Sequence, residues 1–187
     1  MTSKAIKCAV LAANGVDEKQ MTAVQRLFAK ERLNLRVVST EKALIQTWNG
    51  KDWGHYFAVD QRVDEALSAD YDALIIPGAS RSIEKLRMNP HTKRFIEGFN
   101  AATKSIAAFD EAVSLLVMAE IVAGREIAVR DVDLEQAVKV GATPSASALQ
   151  KSGHIFTAQI ASEAQLDEAA HNVLNQILDN WSQKQAA

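Results

Sequence analysis

The chain has 187 residues, 48% hydrophobic and 24% charged, which are ordinary proportions for one globular domain. Its 21 basic and 23 acidic residues leave a net charge of −2 and are mixed along the chain, so we expect no nucleic-acid partner. No apolar run approaches the roughly 20 residues that span a bilayer, and the apolar part of the first residues is too short for a secretory signal.

Cysteine usage points to the compartment. Cys8 is the only cysteine, so the chain can form neither an internal disulfide nor a cysteine-rich zinc site. A reducing cytoplasm is therefore the location we expect, and we expect Cys8 itself to be inert core because it lies in the middle of an apolar run.

The first half of the chain alternates apolar runs with helical patterns. Residues 6–13 predict a buried strand that ends at the turn signal Asn14-Gly15. Apolar residues recur at spacings of three and four between Glu18 and Glu31, which predicts an amphipathic helix. The predictions that follow are a strand at 33–40, an aromatic loop or hairpin at 47–60, a short polar helix at 63–69 and a buried strand at 71–79.

The second half continues the alternation. Pro90 opens a predicted helix at 89–103, a strand follows at 105–109, and a helix at 111–124 is stopped by Gly124. Shorter alternating segments and a helix at 134–140 lead to a closing helix at 162–181. This order predicts an α/β fold in a single domain, 1–187: a doubly wound, mostly parallel sheet with helices on both faces, as in the flavodoxin-like three-layer sandwich.

Candidate site residues follow three of the predicted strands. They lie at 14–20, at 78–80 and at Asp110-Glu111, and ligands of such sheets bind beyond the carboxyl ends of the strands. A small molecule in this crevice is therefore the expected ligand, with Gly78, Ala79, Asp110 and Glu111 as candidate binding residues. The amides of Gly78 and Ala79 suit an anion or oxyanion, although Pro77-Gly78 also fits a plain turn.

Three roles are open for Asp110. It can cap the following helix, bind a ligand or act as a nucleophile, and capping is the reading we favour because acids commonly begin helices. Aspartate also tolerates the left-handed backbone of a sharp elbow. Glu111 suits the first helical turn, and adjacent residues there point in different directions, which argues against an acid–base pair.

Two further clusters allow alternative readings. The acids Asp17, Glu18, Asp110 and Glu111 offer oxygen ligands but no metal-binding motif, so we predict no metal and no cofactor. The aromatic residues of the loop either line a pocket, form a subunit contact, or bury their own rings, and we favour the last reading. They are Trp48, Trp53, Tyr56 and Phe57.

Several stretches resemble the ThiJ/PfpI superfamily, which has the class I glutamine amidotransferase-like fold and includes DJ-one-like proteins, small amidases, proteases and glyoxalase-like enzymes. The stretches are AVLAANGVDEKQM, NGKDWGHYFAVD, DYDALIIPGAS, SIAAFDEAVSLL, VAGREIAV and DLEQAVKVGAT. The likeness runs over roughly residues 5–178 and implies a homodimer or higher homo-oligomer, as relatives commonly are.

The departures from the family lie at its chemistry. The family elbow typically reads Ala-Ile-Cys-His-Gly, so the resemblance puts Asp110 at the nucleophile position, Glu111 at the position that follows and Gln20 at the supporting acid. A carboxylate is a far weaker nucleophile than a thiolate. We therefore expect a catalytically degenerate, small-ligand-binding or stress-associated protein. The alternative is a hydrolase, amidase or lyase that uses Asp110 or Glu111 on a small electrophile, with His55 as a conceivable partner.

Overall fold

The computed structural model of the chain describes residues 5–186. Twelve strands are described in this range, several of them only two residues long. They are β1 (Lys7–Leu11), β2 (Val16–Asp17), β3 (Asn34–Ser39), β4 (Leu44–Trp48), β5 (Trp53–Ala58), β6 (Gln61–Arg62), β7 (Ala73–Ile76), β8 (Ser105–Phe109), β9 (Glu126–Ile127), β10 (Thr143–Pro144), β11 (Leu149–Ser152) and β12 (Ile155–Ala158).

Six α-helices are described in the same range. They are α1 (Glu18–Lys30), α2 (Ser80–Met88), α3 (Pro90–Ala101), α4 (Val113–Met118), α5 (Leu134–Lys139) and α6 (Glu163–Ala186). None of the helices within residues 5–186 has both the length and the hydropathy that a membrane span requires.

The central sheet has seven strands in the order β11-β12-β8-β7-β1-β3-β6. Every neighbouring pair in it is parallel except β11 and β12, which form an antiparallel edge. Helices surround this mostly parallel sheet, and the predicted flavodoxin-like α/β architecture is confirmed.

Side-chain alternation along β1 shows why helices cover both faces of the sheet. Ala9 and Leu11 belong to one buried cluster, together with apolar residues of α2, α3 and α4. Cys8 and Val10 belong to the other cluster, which contains the apolar stripes of α1 and α6. Successive side chains of a strand point to opposite faces, so a strand that is apolar throughout is buried on both of them.

Two predicted helices differ from those observed. Residues 63–69 form turns that lead into a 3-10 helix at Ser68–Asp70, and the carbonyl groups of Val63 and Ala66 accept hydrogen bonds from the Arg94 side chain. The helix predicted at 111–124 ends at Met118, and Glu120 then adopts a positive φ of 58°. Gly124 therefore lies in a later turn and does not stop this helix.

The aromatic segment forms the predicted hairpin from β4 and β5, which pair antiparallel next to β2. The reading in which its rings bury one another is wrong for two of them, since Trp53 is 47% and Tyr56 63% exposed. Trp48 is partly buried, and its ring meets that of Trp53 edge to face with centroids 5.5 Å apart.

The strand order determines where the candidate site lies. β12, β8, β7 and β1 are consecutive parallel neighbours, so their carboxyl ends lie along one edge of the sheet. The segments after these four strands carry Ile160, Asp110, Gly78 and Asn14 respectively. Residues far apart in the chain therefore meet at this edge, which is where open α/β sheets bind ligands.

Candidate functional site

Asp110 occupies the apex of a sharp bend between β8 and α4. It has a φ of +48°, the left-handed backbone that the sequence predicted for an elbow, and a 3-10 turn over Asp110–Ala112 links it to the helix. Arg87 of α2 stabilises the bend through Ser114. Arg87 donates to the Ser114 hydroxyl over 2.6 Å, and that hydroxyl donates to the Glu111 carbonyl over 2.7 Å.

The carboxylate of Asp110 does not cap its own helix, so the predicted capping role is wrong. No side-chain cap is formed at the 3-10 turn or at α4. One oxygen accepts the Ile160 N–H over 2.7 Å, and the other accepts Gln20 Nε2 over 2.6 Å. Both partners are distant in sequence and reach Asp110 because β12 and β1 end at the same edge of the sheet.

Burial raises the pKa of Asp110 to about 6. The hydrogen bonds from Ile160 and Gln20 stabilise the charged form and oppose this rise, while the nearby charges of Glu111 and Asp17 add to it. Partial withdrawal from water is the dominant cause of the raised pKa. The carboxyl group of Asp110 therefore titrates at a pH just below neutral.

Gln20 connects two of the strand ends. Its amide oxygen accepts the Gly78 N–H over 2.6 Å, while its amide nitrogen donates to Asp110. Asp17 fixes the start of α1 by accepting the Gln20 N–H over 2.8 Å, and burial raises the pKa of Asp17. The residue at the family's supporting-acid position is thus in contact with the residue at the nucleophile position.

Glu111 turns away from Asp110's partners. One of its carboxylate oxygens accepts the Ala79 N–H over 3.0 Å, and the other lies 3.1 Å from Nη1 of Arg130. Arg130 is held in turn by Asp133, whose carboxylate lies 2.9 Å from Nε and 2.8 Å from Nη2. The two adjacent acids therefore have separate partners, as expected for neighbours at a helix start.

The Gly78-Ala79 turn packs closely against the elbow. A Cβ at Gly78 would lie 2.8 Å from a Glu111 carboxylate oxygen and 2.9 Å from the Phe109 carbonyl, so only glycine fits there. Ala79 has a φ of +94°, which is rare for any residue other than glycine. Both amides proposed to bind an anion are engaged by this chain's own side chains, Gln20 and Glu111.

A solvent-accessible cavity of about 500 Å³ opens beside the elbow, and a second of about 190 Å³ also borders Asp110. At the larger cavity, the guanidinium of Arg81 lies 4.4 Å from the centroid of the Trp48 ring. The larger cavity is lined by Asp17, Gln20, Trp48, Ala79, Ser80, Arg81, Asp110, Glu111, Arg130 and Ile160.

No histidine or cysteine lines either cavity in the described part of the chain. The structure does not support the hypothesis that His55 is a partner of Asp110. Nδ1 of His55 instead lies 3.2 Å from a carboxylate oxygen of Glu18. Cys8 is completely buried in β1, so its predicted place in the core is confirmed, and burial together with the charge of Asp72 raises its pKa to about 12.

The four acids considered as metal ligands, Asp17, Glu18, Asp110 and Glu111, do not form a metal-binding cluster. Within residues 5–186, no group of three or more His, Cys, Asp or Glu side chains is arranged to hold a metal ion. Glu18 is instead bonded to the Thr47 hydroxyl at 2.6 Å and to the His55 N–H at 2.8 Å, and these bonds lower its pKa.

Three residues of the site were not identified from sequence. Ile160 could have been predicted, because it follows β12 by two residues and the rule about the carboxyl ends of strands applies to it as well. Arg130 and Arg81 gave no such signal, since one follows a two-residue strand and the other lies on a helix that the sequence did not predict.

Comparison with known proteins identifies the family. The profile of the DJ-1/PfpI family matches residues 6–170. Protein/nucleic acid deglycase 2 of Escherichia coli is 28% identical over 121 residues, which cover 65% of this chain and 69% of that protein. General stress protein 18 of Bacillus subtilis is 30% identical over 120 residues, which cover 64% and 68%.

Two further proteins extend the comparison. Protein DJ-1 homolog D of Arabidopsis thaliana is 35% identical over 81 residues, which are 43% of this chain and only a fifth of that protein. The crystal structure of a ThiJ/PfpI domain protein from Brachyspira murdochii superposes with a TM-score of 0.82 at 17% identity, covering 95% of this chain and 99% of that one. The family profile matches most of the sequence, and the chain therefore belongs to the DJ-1/PfpI family.

Proposed function

We propose that this protein lacks the cysteine chemistry of its family and binds a small molecule in the cavity beside Asp110. The main support for this proposal is the chemistry of Asp110 at the elbow between β8 and α4. The residue there is a carboxylic acid, and each of its two oxygens already accepts a hydrogen bond, from Ile160 and from Gln20.

Within the described residues no histidine lines the cavity, and the two other acids there, Asp17 and Glu111, accept the N–H groups of Gln20 and Ala79. Cysteine and serine nucleophiles rely on a neighbouring base or a helix dipole, and an aspartate nucleophile usually needs a histidine or second acid to activate water. Gln20 is an amide and cannot accept a proton from a reacting group at ordinary pH. In the described residues, the only thiol is the buried one of Cys8.

The amides after β7 support the same proposal. An oxyanion site needs donors that are free to meet the charge developing on a substrate. The N–H groups of Gly78 and Ala79 instead donate to Gln20 and Glu111. A substrate oxygen would have to displace one of these side chains before it could be stabilised.

Turnover assays test this proposal. Purified protein is incubated with methylglyoxal and with peptide and amide substrates, beside Asp110→Ala and a buffer control. We expect no product above buffer from either protein. Turnover that Asp110→Ala abolishes would overturn the proposal, and turnover that survives it would locate chemistry at another site.

A second candidate function is favoured by the raised pKa of Asp110 and the open cavity beside it. In this reading an oxygen of Asp110 bonds to an electrophilic substrate carbon and the leaving group departs with its electron pair. Water then attacks the carboxyl carbon and releases the product. Reaction in ¹⁸O water would leave a labelled oxygen on Asp110, which peptide mass spectrometry detects; an unlabelled Asp110 after turnover excludes this route.

The physiological setting is a further part of the proposal. We place the protein in the cytoplasm, as a homodimer associated with a stress response. The free thiol of Cys8 supports the compartment, and the name of the Bacillus subtilis relative supports the stress response. The exposed rings of Trp53 and Tyr56 support a subunit contact. Light scattering at micromolar concentration should give twice the chain mass, and a monomer would contradict the dimer.

A further inference from the structure

The carboxylate of Glu111 is bound in the way a protein binds an anionic ligand. One oxygen receives a backbone N–H, from Ala79, and the other faces a guanidinium, that of Arg130. Charge-assisted hydrogen bonds of this kind are the strong ones, and arginine is the residue that most often recognises carboxylates. The site therefore holds a carboxylate already, supplied by the chain itself.

The two donors are positioned without help from Glu111. Asp133 holds Nε and Nη2 of Arg130, which leaves Nη1 directed to the site. Ala79 keeps its unusual φ of +94° between β7 and α2, and such strain persists where the surrounding structure fixes the backbone. If the Glu111 side chain rotated away, a fixed pair of donors would remain.

The position of the carboxylate is open to an external molecule. The Glu111 side chain is 24% exposed and that of Arg130 29%, and both line the cavity of about 500 Å³. The backbone of Glu111 is held through Ser114, so vacating the site requires only rotation about the side-chain bonds of the glutamate.

We propose that the Ala79 amide and the Arg130 guanidinium form a carboxylate-binding subsite, and that Glu111 is an internal ligand which a small carboxylic acid displaces. This inference rests on the proposed function, because it names the ligand class of the same cavity. Two further acids, Asp17 and Asp110, line that cavity against one further guanidinium, that of Arg81, so a ligand with one carboxylate and an otherwise neutral body fits better than a dianion.

An internal ligand weakens the apparent affinity for an external one in proportion to the time it occupies the site. Glu111→Ala should therefore bind acetate at least about tenfold more tightly than the wild-type protein does. The measurement is an NMR titration with acetate that follows the Ala79 amide, against chloride at the same ionic strength. Glu168→Ala, on the exposed side of α6, is the matched control and should behave as wild type.

Adding Arg130→Gln to Glu111→Ala should weaken acetate binding again by about tenfold or more, because the charged donor to the carboxylate is lost. Glu111→Gln, which keeps the side-chain shape, replaces Glu111→Ala if the alanine variant is unfolded, and should also bind acetate more tightly than wild type. Acetate that leaves the Ala79 amide unmoved in these variants, or binds them no better than wild type, overturns the inference. Acetate binding and product formation are read separately, so turnover lost in Asp110→Ala refutes the proposed function alone.

Discussion

The carboxyl group of Asp110 is subject to opposing influences. Burial disfavours its charge, while the bonds from Ile160 and Gln20 favour it, and burial prevails because its pKa is raised to about 6. The relevant partners come from other strands, 50 and 90 residues away along the chain. Local sequence shows only helix-start preferences, so it predicted the left-handed backbone of the elbow correctly and the bonding of its side chain wrongly.

The raised pKa makes stability depend on pH. An unfolded aspartate titrates at about pH 4. Between about pH 4 and pH 6 the folded protein therefore binds the proton of Asp110 more tightly than the unfolded chain does. The contribution of Asp110 to stability is therefore full below this window and is lost as the pH rises through it. We expect a loss of about 1–2 kcal/mol, reduced from the full linkage value because the group is partly exposed.

Asp110→Asn should remove that part of the pH dependence. Urea unfolding across the window measures the slope in wild type and variant, with Asp52→Asn on the exposed hairpin turn as the control for losing one charge. The slope is the quantity compared, because asparagine cannot accept the bond from Gln20 without rearrangement. An unchanged slope in Asp110→Asn would contradict the assignment.

Thiol reactivity distinguishes the elbow from the core. Cys8 is fully buried with a pKa of about 12, so a disulfide reagent such as DTNB should leave the folded wild-type protein unlabelled. Asp110→Cys should be labelled at least about a hundredfold faster, because its sulfur would face the cavity and the donors Gln20 and Ile160 would stabilise a thiolate.

The double variant Cys8→Ser, Asp110→Cys shows which sulfur reacts. Labelling should be the same as in Asp110→Cys alone. If Asp110→Cys labelled no faster than Cys8 does, the surroundings of the elbow, and not the exchange of sulfur for oxygen, would account for the missing reactivity.

At the scale of elements, the turn between β7 and α2 brings the backbone to the site and retains strain there. Ala79 has a φ of +94°, where an alanine Cβ is disfavoured. The close approach at Gly78 explains why glycine is needed there, since a side chain would meet Glu111 and Phe109.

Ala79→Gly should stabilise the protein by about 1 kcal/mol, the strain relieved less the extra freedom of glycine in the unfolded chain. Urea unfolding measures the change. Ala29→Gly, on the exposed side of α1, is the matched control and should destabilise by about 0.5–1 kcal/mol because its backbone is helical. Equal losses in both variants would show that Ala79 is not strained.

Prediction of the elements succeeded for short apolar runs bounded by turns and for helices with an apolar stripe, and it failed where neither signal was present. The strands β1, β7 and β8 and the helices α1 and α3 lie within or close to their predicted ranges. The sequence did not predict α2, since Ile83 and Leu86 are its only buried apolar residues. The end of α4 was misplaced because its residues are apolar nearly all round, so no stripe marks where the helix ends.

At the scale of the molecule, four consecutive parallel strands bring the site together. The order of strands and helices predicted such a sheet, and the rule about strand ends then predicted which segments meet. What the order could not give is which side chains touch across the crevice. The bridges from Gln20 to Asp110 and from Arg130 to Glu111 depend on side-chain rotamers and on a two-residue strand, neither of which has a pattern in the sequence.

The pH profile of turnover shows whether the carboxyl group of Asp110 supports any catalysis. Methylglyoxal and the amide substrates are assayed with wild type and Asp110→Asn across and above the range in which Asp110 titrates, with a pKa of about 6. We expect that neither protein exceeds the buffer rate at any pH. A wild-type rate that follows a pKa near 6 and disappears in Asp110→Asn would contradict it.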